Sequence, residues 1–245
     1  MFFKIIWNEF VKEIFCAWGY KINWIGELIT LALFFMFLSN MTYEHQNKGI
    51  EYCIWFYSVL VTGEIGNKLS SEMKNGTLEQ VYLSIFPTWF LFFVKIISST
   101  VKSMLIVFVL LIFMYVLGFV DTNYFCFFKL FFLLILITPC LFGISFVFGG
   151  LTLVFRDISW LTNLFNNYSI FLSGIFVPLD KIPAWMHVLV YNNIVYVGVG
   201  ILREEQNLII CMRLIFYCFL IFLFGLIFFI YCQNKVKTNG TLGYY

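Results

Sequence analysis

The sequence predicts an all-α polytopic membrane protein with six transmembrane helices, an N-terminal interfacial amphipathic helix and short extracellular re-entrant helices before the last span. Composition is the first reason: 62% of the 245 residues are hydrophobic and 11% are charged, whereas soluble proteins average about 25% charged residues. Long uncharged windows are the second reason, because about 20 apolar residues let an α-helix cross a bilayer core. The unequal distribution of Lys and Arg between the connecting segments is the third.

The N-terminal segment, residues 1–20, predicts a helix that lies at the membrane interface. Apolar side chains recur at helical spacing, at Phe3, Ile6, Phe10 and Ile14. Polar residues occupy most of the remaining face, namely Lys4, Asn8, Glu9, Lys12 and Glu13. A helix with one apolar and one charged face is typical of segments that lie in the interface plane.

Apolar windows predict six spans. They cover residues of about 22–42, 50–68, 100–120, 130–155, 158–178 and 208–232. The second window is the least regular, because its uncharged part ends before Glu64. Pro139 lies inside the fourth window, where a proline kinks a membrane helix and is tolerated if neighbours satisfy the freed carbonyl.

The segment 184–202 is uncharged and long enough to form a seventh span. Residues that disfavour an uninterrupted span lie within it or just before it, namely Pro178, Pro183, His187, Asn192 and Asn193. Re-entrant segments tolerate polar groups where they are buried in protein or face water. We therefore expect residues 179–205 to form one or two short re-entrant or interfacial helices on the extracellular side.

The basic residues predict the orientation. Six spans put four segments on one side: the N-terminus, the 64–102 region, the 156 turn and the C-terminal tail. This side has ten Lys and Arg residues, namely Lys4, Lys12, Lys21, Lys68, Lys74, Lys95, Lys102, Arg156, Lys235 and Lys237. The five on the other side are Lys48, Lys129, Lys181, Arg203 and Arg213. Since Lys and Arg accumulate on the cytoplasmic side, both termini are predicted to be cytoplasmic. A seventh span would export the tail lysines and weaken this bias.

A polar segment, residues 69–88, separates the second span from the third. Gly76 is expected to end one helix, and the Thr77 hydroxyl to cap the next with Gln80 at the third position of a capping box. Apolar residues then recur at helical spacing, at Leu78, Val81, Tyr82 and Ile85, before Pro87 ends the segment. We expect a short cytoplasmic helix with one apolar face, and an ordinary loop is the alternative.

The sequence contains no set of residues with the spacing of a catalytic or nucleotide-binding site. His45 and His187 are the two histidines, and they lie in separate loops, so a triad or a metal cage lacks ligands. The seven cysteines form no CxxC pair, and scattered lysines form no basic patch for nucleic acid. Gly63 to Lys68 lacks the spacing of a phosphate-binding loop. If ATP drives this protein, another chain must bind it.

Residues Glu72 to Gln80, with Ser84 and Pro87, resemble the E-x-x-x-G-T-L-E-Q…S-P stretch of ABC-2 type transporter permeases, especially drug-export-like members. In that family the stretch docks on the ATPase subunit. The resemblance therefore implies an ATPase-coupling role for Glu72, Gly76, Thr77, Leu78, Glu79 and Gln80. Lys95 falls where the family often carries a basic residue, and Phe86 is an insertion relative to the tighter Ser-Pro of many members.

A second stretch resembles the family's P-x-x-x-(L/I)-P-x-W…N-P…R segment before the last span. The residues that carry it imply an extracellular gate region and are Pro178, Pro183, Trp185, Asn192, Asn193 and Arg203. Ile194 stands where the family's proline would follow Asn193, which is a departure from the pattern. The resemblance covers nearly the whole chain, and it implies one transmembrane domain over 1–245.

The resemblance implies the permease subunit of an ATP-binding cassette exporter in a bacterial cytoplasmic membrane. Such permeases pair as a homodimer or as a heterodimer with a similar permease, and separate ATPase chains bind ATP and Mg²⁺, so no cofactor is expected on this chain. An ATP-independent secondary transporter or channel that uses Glu27 and Glu64 is the alternative, because charges inside spans are functional candidates. A membrane anchor or immunity protein is a third class.

A polar stripe lies on the predicted fifth span, at Asn163, Asn166, Asn167 and Ser169. Polar groups in a span face protein or a cavity. The stripe is therefore expected to line a translocation path or a dimer interface, with packing inside the subunit as the alternative. Export of a drug, a peptide, a lipid, a glycan or an ion is compatible with these residues.

Overall fold

All regular structure in the described residues is helical. The computed structural model describes residues 2–19, 26, 29, 33, 48–116, 124–175, 177, 179–202 and 208–238. The helices with described bounds are α1 Phe2–Gly19, α2 Lys48–Thr62, α3 Glu64–Lys74, α4 Leu78–Tyr82, α5 Thr88–Val116, α6 Tyr124–Phe155, α7 Ser159–Phe171, α8 His187–Tyr191, α9 Ile194–Leu202 and α10 Leu208–Thr238. Two 3₁₀ turns, Leu179–Lys181 and Ala184–Met186, precede α8.

Three helical stretches in the described part of the chain are long and apolar enough to cross a membrane: Thr88–Val116, Phe128–Phe155 and Leu214–Thr238. They belong to α5, α6 and α10 and lie where the sequence predicts the third, fourth and sixth spans. The protein is therefore a multi-pass membrane protein. The predicted first span, 22–42, falls on a stretch of which the structure describes only residues 26, 29 and 33.

The helix predicted over 50–68 is interrupted at Gly63, between α2 and α3. As one of the first amides of α3, the Ile65 N–H has no acceptor within that helix. It donates instead to the Ser145 hydroxyl of α6 at 3.1 Å. A side chain from a neighbouring helix thus satisfies the donor that the interruption releases.

α7 is shorter than the span predicted over 158–178. It has 13 residues, which rise about 20 Å, whereas a bilayer core is about 30 Å thick. The chain turns after α7, where Gly174 has a φ of +72°, a left-handed conformation that glycine adopts at little steric cost. The Ser173 hydroxyl supports the turn, because it accepts the Ile175 N–H at 3.2 Å.

The segment 184–202 is bent. Its two helical parts, the second of which is α9, meet at an angle of 80°, so the segment does not form one straight seventh span. The buried Asn193 lies at the bend, where its Oδ1 accepts the Val195 N–H at 3.0 Å. Its Nδ2 donates to the Ser169 carbonyl of α7 at 2.9 Å. One asparagine therefore stabilises the bend and attaches it to α7.

Contacts between helices determine their relative directions. The hydroxyls of Tyr57 in α2 and Thr138 in α6 form a hydrogen bond of 2.7 Å. Further along both helical paths, Ile65 contacts Ser145. Because later residues pair with later residues, α2 and α3 run parallel to α6.

α6 and α10 also run parallel, and their backbones are in contact. A Cβ built on Gly143 would lie 2.6 Å from the carbonyl carbon of Ile221. A Cβ built on Gly225 would lie 2.7 Å from the carbonyl carbon of Gly143. Small residues permit such approaches between membrane helices. Further along, Gly150 lies against Phe228, which confirms the shared direction.

These directions bring the C-terminal ends of α3, α6 and α10 to one end of the bundle, with the start of α7. At this end, which we call the α4 end, the Lys237 ammonium lies 5.0 Å from the centre of the Tyr82 ring. At the opposite end, the α8 end, Lys129 donates to the Leu202 carbonyl at 3.3 Å. The polar segment, the α6–α7 turn and the end of α10 therefore meet.

Gly225→Ala is expected to destabilise the protein. The added methyl group overlaps the Gly143 backbone and pushes α6 and α10 apart, at an overpacking cost of about 1–3 kcal/mol. Thermal unfolding of the detergent-solubilised protein measures the loss as a lower Tm. Gly19→Ala is the matched control, because a Cβ at that position meets nothing within 4 Å. An unchanged Tm for Gly225→Ala would contradict the backbone contact.

Candidate functional site

The polar segment after α3 is built on a helix C-cap at Gly76, whose φ is +67°. The Gly76 N–H donates to the Met73 carbonyl at 3.0 Å. The Thr77 N–H donates to the Glu72 carbonyl, also at 3.0 Å. This pair of bonds is a Schellman motif, in which a left-handed glycine helps to satisfy the last carbonyls of a helix. α3 thus ends where the sequence predicts a break.

Thr77 does not cap α4 with its side chain, contrary to the sequence-based expectation. It occupies the N-cap position without a side-chain hydrogen bond to the helix, so the predicted capping box with Gln80 is not formed. The Thr77 hydroxyl donates to a carboxylate oxygen of Glu72 instead. An ionised acceptor forms the stronger hydrogen bond, and it draws the hydroxyl back towards α3.

Glu72 links α3 to α5. Its Oε1 lies 2.5 Å from Lys95 Nζ, and the Lys95 and Glu72 side chains are 13% and 19% exposed. Lys68 of α3 adds a second link, because its ammonium donates to the Lys95 carbonyl at 2.9 Å. The end of α3 is therefore held to the early turns of α5 by charge-assisted bonds that are mostly shielded from solvent.

The ionised form of Glu72 is favoured. Burial raises the pKa of its carboxyl, but hydrogen bonds from Lys95 and Thr77 and the charges of Lys95 and Lys12 outweigh burial, so this pKa lies below its ordinary value. Lys12 belongs to α1, which packs along α5. α1 therefore approaches the same network.

α4 buries one face and exposes the other. Leu78 is 1% exposed, and Val81 and Tyr82 pack partly against the same core. Glu79 and Gln80 are exposed. The apolar face predicted for this short helix is therefore present over its own length.

Ile85 does not continue the buried face, although its spacing predicts that it should. α4 ends at Tyr82, and the chain then turns through Ser84, whose hydroxyl donates to the Val81 carbonyl at 2.8 Å. The two residues that flank Ser84 are both exposed: Ile85 is 91% exposed, and Leu83 is 85% exposed. Leu83 is not among the residues predicted for the site, although its position directly after Tyr82 takes it off the buried face of α4.

The exposed residues of α4 and of the turn that follows it form one surface. We call it the α4 surface, and its members are Glu79, Gln80, Leu83 and Ile85. It combines two polar side chains with two large apolar ones at the α4 end of the bundle. Of the six residues predicted to couple to an ATPase, Glu79 and Gln80 belong to this surface. The other four lie outside it: Leu78 is buried beneath α4, and Glu72, Gly76 and Thr77 form the end of α3 and the turn that precedes α4.

The predicted polar stripe on α7 is divided between two faces. Asn166 accepts the Thr62 hydroxyl of α2 at 3.1 Å through its Oδ1, and the buried Ser169 contacts Asn193. These residues pack inside the subunit. Asn163 and Asn167 are exposed one helical turn apart.

The described members of the predicted extracellular gate lie at the α8 end. Asn193 is buried, whereas Pro183, Asn192 and the 72% exposed Trp185 are at the surface. The remaining two, Pro178 and Arg203, lie outside the described residues. The described gate residues therefore share one region, and they do not approach the α4 surface.

Glu64, one of two glutamates considered for ATP-independent transport, is the first residue of α3 and is half-buried. Glu27, the other, lies outside the described residues. Within the described ranges, no cluster of three or more His, Cys, Asp or Glu side chains is placed to hold a metal ion.

Lys95→Met is expected to lower the free energy of unfolding by about 1–3 kcal/mol, because it leaves the Glu72 carboxylate shielded without its cation. In a double-mutant cycle, adding Glu72→Gln should cost less than the two single effects together. The exposed Glu79→Gln is the control and should change stability by less than about 0.5 kcal/mol. Additive single effects would contradict the ion pair.

The stabilisation by Glu72 should also depend on pH. Since its folded-state pKa is below the unfolded value of about 4, the contribution is complete above that value and is lost as pH falls through the folded pKa. Unfolding of the wild type should therefore lose more stability between about pH 5 and pH 3 than unfolding of Glu72→Gln. Parallel curves for the two proteins would contradict the lowered pKa.

Comparison with known proteins agrees with this helical architecture. The family model described as ABC-2 type transporter matches residues 2–207, which include α1 to α9 and the whole polar segment. A search of curated proteins finds no match to the chain. Because the family model matches most of the chain, this protein belongs to the ABC-2 type transporter family, whose members are the membrane subunits of ABC transporters.

Proposed function

We propose that the protein is the permease subunit of an ATP-binding cassette exporter and that its α4 surface docks on a separate ATPase subunit. The observation that carries this proposal is the exposure of Leu83 and Ile85 at 85% and 91%, beside the exposed Glu79 and Gln80. Apolar residues with a polar rim are typical of protein interfaces. Family membership supplies the partner, because ABC permeases work with ATPase subunits.

The charge distribution supports a cytoplasmic position for the α4 end. The described segments that meet there carry Lys68, Lys74, Arg156, Lys235 and Lys237. Basic residues near the ends of spans accumulate on the cytoplasmic side. The α4 surface then faces the compartment that contains ATP, in the cytoplasmic membrane of a bacterium. ATP and Mg²⁺ bind to the partner chain.

Three connections transmit movement of α4 to the membrane helices. Leu78 inserts into the core, the ion pair of Glu72 and Lys95 joins the end of α3 to α5, and the contact of Tyr82 with Lys237 reaches α10. An ATPase pair that binds one arrangement of these helices more tightly shifts the population towards it. Cycles of ATP binding and hydrolysis would thereby alternate the access of cargo to the two sides.

The exposed amides of α7 support pairing of two permeases. Asn163 and Asn167 lie on the same exposed side as Leu164 and Phe171. Amide groups of membrane helices hydrogen-bond across helix interfaces. A second copy of this chain, or a similar permease, would satisfy these two amides with its own α7.

Leu83→Ser combined with Ile85→Ser should weaken ATPase binding. Removing two apolar side chains from an interface centre costs about 2 kcal/mol or more, which corresponds to a more than tenfold loss of affinity. Co-purification of the ATPase with tagged permease measures this loss. Val188→Ser with Leu189→Ser, which alters exposed apolar residues at the α8 end, is the matched control. The docking proposal would be refuted if the first variant co-purified with as much ATPase as the wild type does. It would also be refuted if the wild type co-purified with no ATPase.

Asn163→Leu combined with Asn167→Leu should weaken the permease dimer. Interhelical hydrogen bonds in membranes contribute about 0.6–2 kcal/mol each, so the dissociation constant should rise about tenfold. Energy transfer between labelled subunits in liposomes measures it. Leu220→Ala with Phe224→Ala on α10, also exposed and one turn apart, should leave the constant unchanged. A dimer that tolerates the asparagine changes would require another interface.

A further inference from the structure

A polar groove of about 280 Å³ lies at the α4 end, between α3 and the α6–α7 turn. One wall is a single face of α3, formed by Asn67, Ser70 and Lys74. The other wall includes Thr152 near the end of α6 and Asp157 in the turn. The groove contains none of the residues of the α4 surface, so the docking proposal leaves it without a function.

The two walls carry opposite charges. Lys74 and Asp157 are both exposed at the groove. The pKa of Asp157 is below its ordinary value, first because the Ser159 N–H and hydroxyl bond to its carboxylate and then because of the Lys74 charge. The Ser159 amide uses Oδ1 at 2.9 Å, and a carboxylate has about four acceptor sites in all. The groove therefore offers a cation and a hydrogen-bonding anion to one ligand.

The groove lies where a helix long enough to cross a membrane ends. Its Thr152 belongs to the last turn of Phe128–Phe155, a helix long enough to cross a membrane. Next to Thr152, Val154 and Phe155 are 39% and 67% exposed. A membrane-spanning helix reaches the head-group region where its apolar sequence ends. A ligand in the groove can thus have a charged part between the walls and apolar chains along the end of α6.

We propose that this groove binds a zwitterionic phospholipid with a primary ammonium group, of the phosphatidylethanolamine type. The phosphate lies at Lys74 and Ser70, the ammonium at Asp157, and the acyl chains along Phe155. An anionic lipid without an ammonium group offers the Asp157 carboxylate no further donor, and its negative charge is repelled by that carboxylate. A choline head group has no N–H to donate to the Asp157 carboxylate.

The test is native mass spectrometry of the purified protein, without an ATPase, titrated with phosphatidylethanolamine, phosphatidylcholine and phosphatidylglycerol of identical acyl chains. The ethanolamine lipid should bind about tenfold more tightly than the other two, as expected for one charge-assisted hydrogen bond. Asp157→Asn should abolish this preference, while its side-chain oxygen can still accept the Ser159 amide. Lys74→Gln should weaken binding of all three lipids.

Lys235→Gln is the matched control, because Lys235 is exposed at the same end but outside the groove. It should leave all three affinities unchanged. Equal binding of the three lipids by the wild type, or an Asp157→Asn variant that retains the preference, would overturn the proposal. Soluble glycerophosphoethanolamine should not displace the ethanolamine lipid when both are present at equal concentration. Displacement would overturn the proposal, because it would show that the groove binds a soluble ligand. Because no ATPase is present, these outcomes are independent of the docking test.

Discussion

The contact between the backbones of α6 and α10 is the constraint on which the α4 end depends. Gly143 and Gly225 allow the two helices to touch without intervening side chains. From this contact, α6 supports α3 through Ser145, and α10 extends to place Lys237 against Tyr82 in α4. If α6 and α10 separated, α4 would lose its alignment with α3 and with the end of α10. Small residues are common between membrane helices because they let the backbones approach closely.

The α4 end itself combines rigidity with exposure. The Schellman motif at Gly76 and the bonds of Glu72 satisfy the polar groups where α3 ends. In the turn that follows α4, the Ser84 hydroxyl donates to the Val81 carbonyl at 2.8 Å. Leu83 and Ile85 nevertheless remain outside the core. A supported turn that presents apolar groups loses little conformational entropy on binding, which favours association.

Sequence patterns that act locally predicted much of this architecture. Hydropathy predicted α5, α6 and α10, because a bilayer-length apolar helix is recognisable without its neighbours. Gly76 predicted the end of α3, since a left-handed C-cap is a property of the residue itself. For the candidate site, family-like residues predicted the segment and two members of its exposed surface.

Features that depend on distant partners were predicted poorly. The Thr77 hydroxyl bonds to Glu72, whose charge is in turn held by Lys95, and no local capping rule includes that competition. The interruption at Gly63 depends on a hydroxyl from α6. Ile85 has helical spacing, but α4 has already ended. The groove between α3 and the α6–α7 turn likewise joins segments that have no common sequence motif.

The parallel arrangement of α6 and α10 has a consequence for biosynthesis. Parallel neighbours cannot be joined by a short hairpin, and here α7, α8 and α9 intervene in the sequence. A ribosome therefore delivers α6 to the membrane well before its partner exists. Until α10 emerges, the backbone around Gly143 lacks the helix that it contacts in the folded protein. Synthesis of α10 is thus the step at which α6 can acquire this packing partner.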